Sequence, residues 1–241
     1  MANRWYWIAA VLFVLFVMYS AFLSVSTPIE APRRSTCRNN LKQIGLALHN
    51  YHETYGCLPP AYIADANGRP MHSWRVLLLP YLDQTPLYQS YRFDEPWDGP
   101  NNSKLAKIAL PIFCCPSDEH NSGTNAARCN ANYLAVVGDE TAWPGPRPTT
   151  IGEMKDGTSE TLLLIEVTNS GIHWMEPRDL HVLQMAPSIN AKAGQGISSR
   201  HKSGANSLMA DGAVRFLPDS LPAETLRGLL TIDGGEKPGP Y

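Results

Sequence analysis

The residues of this chain best suited to chemistry are its seven histidines, its five cysteines and a set of carboxylates placed beside turns. One spacing stands out: in "HKSGANSLMADG", His201 precedes the pair Asp211-Gly212 by ten positions. At hydrogen-bonding distance a histidine and an aspartate would form a general base and its orienting group. The intervening residues argue against that. "ANSLMA" followed by Asp-Gly reads as a strand entering a hairpin, with Asp211 and Gly212 suited to the two positive-φ positions of a type I′ turn. About five extended residues at about 3.3 Å each put His201 at the far end of the strand, roughly 15 Å or more from Asp211. The expectation is therefore that the two share no hydrogen bond.

The other candidates are also incomplete. "HNYHE" places His49, His52 and Glu53 on one helix, but a zinc helix needs histidines at i and i+4 around a glutamate, and H-x-x-H-E indicates no third ligand. Ser203, near His201, lacks the G-x-S-x-G elbow of a nucleophile. Cys37, Cys57, Cys114, Cys115 and Cys129 contain no C-x-x-C pair, which argues against zinc. Two readings of the cysteines remain: disulfides in an oxidising compartment, with Cys37, Cys115 and Cys129 as the candidates, or buried thiols. An odd number leaves at least one thiol free or intermolecular. Asp156, Glu166 and Asp211 offer carboxylates for calcium, without EF-hand spacing. No catalytic residue, metal or cofactor is assigned, and no small-molecule substrate is identified.

These residues depend on elements that can be read from pattern. With 44% hydrophobic and 17% charged residues and a net charge of −2, the chain suits one folded domain with additions. It lacks the basic footprint of a nucleic-acid binder. Trp5 to Val25 carries no charge and is long enough to cross a hydrocarbon core of about 30 Å, with Trp5, Tyr6 and Trp7 at its interfacial edge. The run exceeds a typical signal peptide, so an uncleaved anchor over residues 1–26 is expected, and the lipid bilayer is its partner. Residues 27–34 read as a linker because Pro28 and Pro32 interrupt a helix.

Residues 35–241 then form the domain. Leu41, Ile44, Leu48, Tyr51 and Tyr55 mark an amphipathic helix capped by Ser35 or Thr36 and closed by Gly56. "SWRVLLLPYL", "TPLYQSY" and Asn102 to Ile108 read as short helices, and "LPIFCCPSD" as a strand with Cys114 and Cys115 on opposite faces. "NYLAVVG", "TLLLIEV" and the hairpin supply further strands. "DSLPAETLRGLLTI" supplies a last helix, with Ser220 as its cap and Leu226, Leu229 and Leu230 facing inward. Helices followed by strands argue for an α+β fold with an antiparallel sheet.

Taken in order, "CRNNLKQIGLALHNYHETYGCLPP", "FCCPSD", "NYLAVVG", "DGTSETLLLIEV" and "HKSGANSLMADGAVRFL" resemble the bacterial DUF1559 family, whose C-terminal part is called the prepilin-type H-X9-DG domain. The resemblance runs from Arg34 to the C-terminal helix. It implies a pilin-like or pseudopilin-like module, with a membrane-anchored helix packed on an antiparallel sheet. It marks Asn40, Gly45, Asn50, Tyr51, His52, Cys115, Pro116, Asp156, Gly157, Glu166, His201, Asp211 and Gly212 as motif residues, read here as structural. The family's usual prepilin leader, with its glutamate near the start of the apolar helix, has no match, which puts filament assembly in doubt. The arginines after the span favour a cytoplasmic domain and the cysteines an extracytoplasmic one. The resulting expectation is a single-pass protein of the bacterial cytoplasmic membrane with its C-terminal domain outside the cytoplasm. It would bind envelope or pilin-like proteins and act structurally, not as an enzyme. The alternative is a calcium-binding or hydrolytic domain using His201 and nearby carboxylates.

Overall fold

A computed structural model of the chain describes residues 6–7, 11–16, 18–19, 30–118, 130–191 and 193–236. Much of the expected anchor, Trp5 to Val25, lies outside these residues. Among the described residues no helix is long and apolar enough to cross a membrane.

The dominant helix, α1 (Glu30–Tyr55), buries Cys37, Leu41, Ile44, Gly45, Ala47 and Leu48. It begins inside the stretch read as a linker, because Pro32 falls in the first turn, where backbone N–H groups have no helical acceptor and proline loses nothing. Ser35 and Thr36 are therefore not caps. Their hydroxyls donate to the carbonyls of Ala31 and Pro32, both at 3.1 Å. The C-terminal end is as the sequence predicts: Gly56 takes φ 74° and its N–H donates to the His52 carbonyl at 2.8 Å. The buried stripe stops before Tyr55, which is exposed.

The main sheet is antiparallel and four-stranded, in the order β3 (Tyr133–Leu134), β5 (Leu162–Glu166), β7 (Gly204–Met209) and β8 (Val214–Pro218). Every residue of β5 and β7 is buried, so both faces of the sheet's centre are covered, and α1 packs against β7 and β8. Gly45 permits this approach, since a Cβ there would stand 2.8 Å from Leu208 Cδ1. Two small pairs flank the sheet: β1 (Tyr62–Ala64) antiparallel to β2 (Pro70–Ser73), and β4 (Val136–Val137) parallel to β6 (Leu180–His181).

The β7–β8 turn differs from the expected type I′. Gly212 N–H donates to the Met209 carbonyl and Met209 N–H to the Ala213 carbonyl, so Ala210 and Asp211 are the central residues and Gly212 follows at φ 84°. This is the three-residue loop in which glycine takes the left-handed bulge position. Asp211 keeps negative φ, with its Oδ1 accepting from Ala213 N–H at 2.8 Å.

Proline explains most of the remaining differences. "SWRVLLLPYL" is a short α2 (Trp74–Leu77) followed by a 3-10 turn over Leu79–Leu82, because Pro80 has no N–H with which to continue α2. α3 (Thr85–Ser90) appears as expected, and α4 (Asn102–Leu105) is shorter than the expected Asn102 to Ile108. "LPIFCC" is a 3-10 turn over Pro111–Phe113, not a strand, and Cys114 and Cys115 are both buried. In α5 (Ala223–Leu230) the N-cap is Pro222, not Ser220, while Leu226, Leu229 and Leu230 face inward as predicted.

Candidate functional site

Four separated segments deliver one buried cluster. Cys37 comes from α1, Cys115 from the loop after the Pro111–Phe113 turn, Glu166 from the end of β5 and His201 from the loop entering β7. Their ligand-capable atoms all lie within 4.8 Å of one another. His201 Nε2 lies 3.7 Å from Cys115 Sγ and 3.4 Å from Glu166 Oε1. On its other side, His201 Nδ1 donates to Glu30 Oε1 at 2.5 Å. Glu166 Oε2 accepts from both the backbone N–H and the side-chain amide of Asn206, each at 3.0 Å. Glu166 Oε1 is buried and makes no hydrogen bond.

The supporting contacts are equally specific. The Cys115 N–H donates to Asn132 Oδ1 at 2.7 Å, while Asn132 Nδ2 donates to Asp118 Oδ2 and to the Val167 carbonyl. Asp118 Oδ2 also accepts from the Thr168 hydroxyl and the Asn169 N–H. These bonds hold the cysteine loop against the end of β5, where Glu166 sits. Asn40 completes the bracket from α1, donating to the carbonyls of Pro111 and Cys114.

The site is strongly polarised. Burial disfavours a charged His201, but Cys115, Glu166 and Glu30 outweigh burial and push its pKa up to about 10. Burial would raise the Glu166 carboxyl, yet the neighbouring His201 and the Asn206 N–H hold it below the usual carboxylate range. The Cys115 thiol is pushed far up, first by Cys37 beside it and then by burial. The order Cys115, His201, Glu30 matches thiol, base and orienting carboxylate in type. A nucleophilic cysteine, however, needs a depressed pKa and partial exposure. Cys115 has neither, being 2% exposed, although a cleft of about 370 Å³ lined by Thr36, Asn40 and Cys114 reaches it.

Of the residues singled out from sequence, the fold brings together Cys37, Cys115, Glu166 and His201. The others serve elsewhere. Asn50 is half-buried on α1, where its carbonyl accepts from Thr54. Tyr51 makes a tilted ring contact with Tyr55 and an edge-on one with Tyr81, the His52 carbonyl accepts from the Gly56 N–H, and Pro116 follows the cysteine loop half-buried. Asp156 accepts from the N–H groups of Gly234 and Gly235. Gly157 turns the chain at φ 100°. Asp211 and Gly212 make the hairpin, and His201 shares no hydrogen bond with Asp211. Neither Asp156 nor Asp211 joins Glu166, so the calcium grouping of the three does not assemble.

The cysteine expectation is corrected as well. Cys37 and Cys115 are free thiols, as is Cys57, whereas Cys114 is disulfide-bonded. Cys129 lies outside the described residues. Sequence reasoning also missed Glu30, Asn132 and Asp118. It further missed a buried ion pair in which Asp179 accepts from Arg75 and from Trp74 Nε1. Asp118 ends "FCCPSD" and Asn132 begins "NYLAVVG", but the motifs do not disclose their roles, since each of these groups acts through distant partners.

The comparisons agree with the motif order. No curated protein and no solved structure matches the chain. The family model described as "Protein of unknown function (DUF1559)" matches residues 29–182 and 168–224, a span that contains all four residues of the buried cluster, and the chain accordingly belongs to the DUF1559 family.

Proposed function

We propose that this protein is a membrane-anchored, extracytoplasmic pilin-like module of the bacterial cell envelope that binds other proteins and catalyses no reaction. The observation that carries the reading is α1, a 26-residue helix that opens shortly after the apolar run and lies with its buried stripe against the antiparallel sheet. That arrangement suits a helix that leaves the bilayer and carries a folded domain with it. The Cys114 disulfide supports an oxidising compartment. Burial of Cys37, Cys115, Glu166 and His201, each at 2% exposure or less, supports the non-enzymatic part, because a reacting group must meet its substrate.

Two measurements test it. A reporter that matures only outside the cytoplasm, fused after Tyr241 of the full chain, should be active. A fusion active only as a cytoplasmic reporter defeats the orientation. Crosslinking in intact cells should trap an envelope protein or a second copy, and an unchanged monomer defeats the binding role.

A further inference from the structure

We infer that Cys37, Cys115, Glu166 and His201 form a structural zinc site, with Glu30 as the outer carboxylate that orients His201. The donor set is two sulfurs, one imidazole nitrogen and one carboxylate oxygen, all of them zinc ligands. With zinc–nitrogen and zinc–oxygen bonds of about 2.0–2.1 Å and zinc–sulfur bonds of about 2.3 Å, a tetrahedron has a nitrogen–oxygen edge of about 3.4 Å and a nitrogen–sulfur edge of about 3.6 Å. The structure gives 3.4 Å from His201 Nε2 to Glu166 Oε1 and 3.7 Å from His201 Nε2 to Cys115 Sγ.

A second observation points independently to a cation. Glu166 Oε1 is buried in a residue 1% exposed, accepts no hydrogen bond and meets His201 Nε2 only as a charge contact at 3.4 Å within the cluster. A buried carboxylate oxygen that accepts no hydrogen bond is costly, and a metal ion would satisfy it. The orientation of His201 agrees. Donation from Nδ1 to Glu30 leaves Nε2 to face the centre, the carboxylate–histidine–metal relay common at zinc sites.

Zinc binding would form two sulfur–zinc bonds, one nitrogen–zinc bond and one oxygen–zinc bond. The thiol protons of Cys37 and Cys115, and any proton on His201 Nε2, pass to solvent, and no electron moves. Two thiolates, one carboxylate and a neutral imidazole leave the same net charge as the Cys3His class of structural sites. Four buried protein ligands leave no open position, which marks the site as structural, not catalytic. Its effect is mechanical: the ion ties the N-terminal half of α1 to the end of β5, to the cysteine loop that precedes β3 and to the loop entering β7. The inference does not depend on where the protein resides.

The test uses the full chain, purified in detergent under reducing conditions. Elemental analysis should find one zinc per chain. Cobalt in place of zinc should give thiolate charge-transfer absorption and tetrahedral d–d bands, lost in Cys37→Ser and kept in Cys57→Ser. Glu30→Gln should weaken zinc affinity about ten- to a hundredfold. In the unmutated protein, zinc should protect Cys37 and Cys115 from alkylation and leave Cys57 reactive, which keeps the test valid if a variant does not fold. A folded, reduced chain without stoichiometric zinc overturns the inference. So does alkylation of Cys37 and Cys115 that zinc does not slow, or a Cys37–Cys115 disulfide in protein taken from cells.

Discussion

Replacing Asn132 by alanine isolates the bracket that positions Cys115. Asn132 is 1% exposed. Its side chain receives the Cys115 N–H at 2.7 Å and donates to Asp118 Oδ2 at 2.7 Å and to the Val167 carbonyl at 2.8 Å. In Asn132→Ala the Cys115 N–H and the Val167 carbonyl lose these partners in a buried setting, at about 1–3 kcal/mol each. Asp118 keeps its bonds from Thr168 and Asn169 and adds less. A total of about 4 kcal/mol follows, a large share of a domain stability of about 5–15 kcal/mol. Because a chain of this size shifts by about 2–4 °C per kcal/mol, the melting temperature should fall by about 8–16 °C. The assay is urea unfolding of the chelator-treated protein, which excludes any metal contribution. Asn40→Ala is the comparison. It removes two bonds to backbone carbonyls and a long one to the Tyr133 hydroxyl, but at a half-exposed position where water can replace them, so it should cost about 1 kcal/mol or less. Equal losses in the two variants, or a loss below about 1 kcal/mol for Asn132→Ala, would refute the reasoning that burial decides the cost.

Three further outcomes are expected. Gly204→Ala puts a Cβ 2.2 Å from the Leu217 carbonyl oxygen, so β7 and β8 must part at that end. A loss of about 1–3 kcal/mol or more should appear with faster amide exchange at the Gly204 end of β7, and normal protection there would contradict it. Arg75→Met leaves the buried Asp179 with only Trp74 Nε1 and the Ala135 N–H as donors and should cost about 3–5 kcal/mol, most of it regained in Arg75→Met/Asp179→Leu. A double variant no better than the single would count against the unpaired-charge account. His72, bonded to the Tyr91 hydroxyl and the Phe93 carbonyl, and His173 are both held below the usual imidazole range by burial. The unfolded chain therefore binds protons first as pH falls through about 6.5, so their effect is absent above that value and stability drops below it. His72→Gln should flatten this acid limb of the urea midpoint, and an unchanged slope would remove His72 from the explanation.

The sequence by itself determined the local elements whose signals are carried by neighbouring residues. Leu41, Ile44 and Leu48 define the buried face of α1, Gly56 its end, and "TLLLIEV" the central strand, because periodicity and left-handed glycine are short-range properties. Even here boundaries moved. Pro32 reads as a break until its place in the first turn is known, and Asp211-Gly212 supports either of two hairpin turns until the strand register is set. The motif order identified the family, and the cysteine count paired Cys37 with Cys115 as disulfide candidates, yet nothing hinted that both belong with Glu166 and His201. The absence of C-x-x-C spacing argued against zinc because that pattern describes ligands close together in the chain. Here each ligand rides on a different element, and only the packing of α1 on the sheet, together with Asn132 bracing the cysteine loop, brings them within 4.8 Å. Spacing can report ligands that share a turn or a helix. Ligands assembled by tertiary packing leave no periodic trace, so their convergence was decided by the fold.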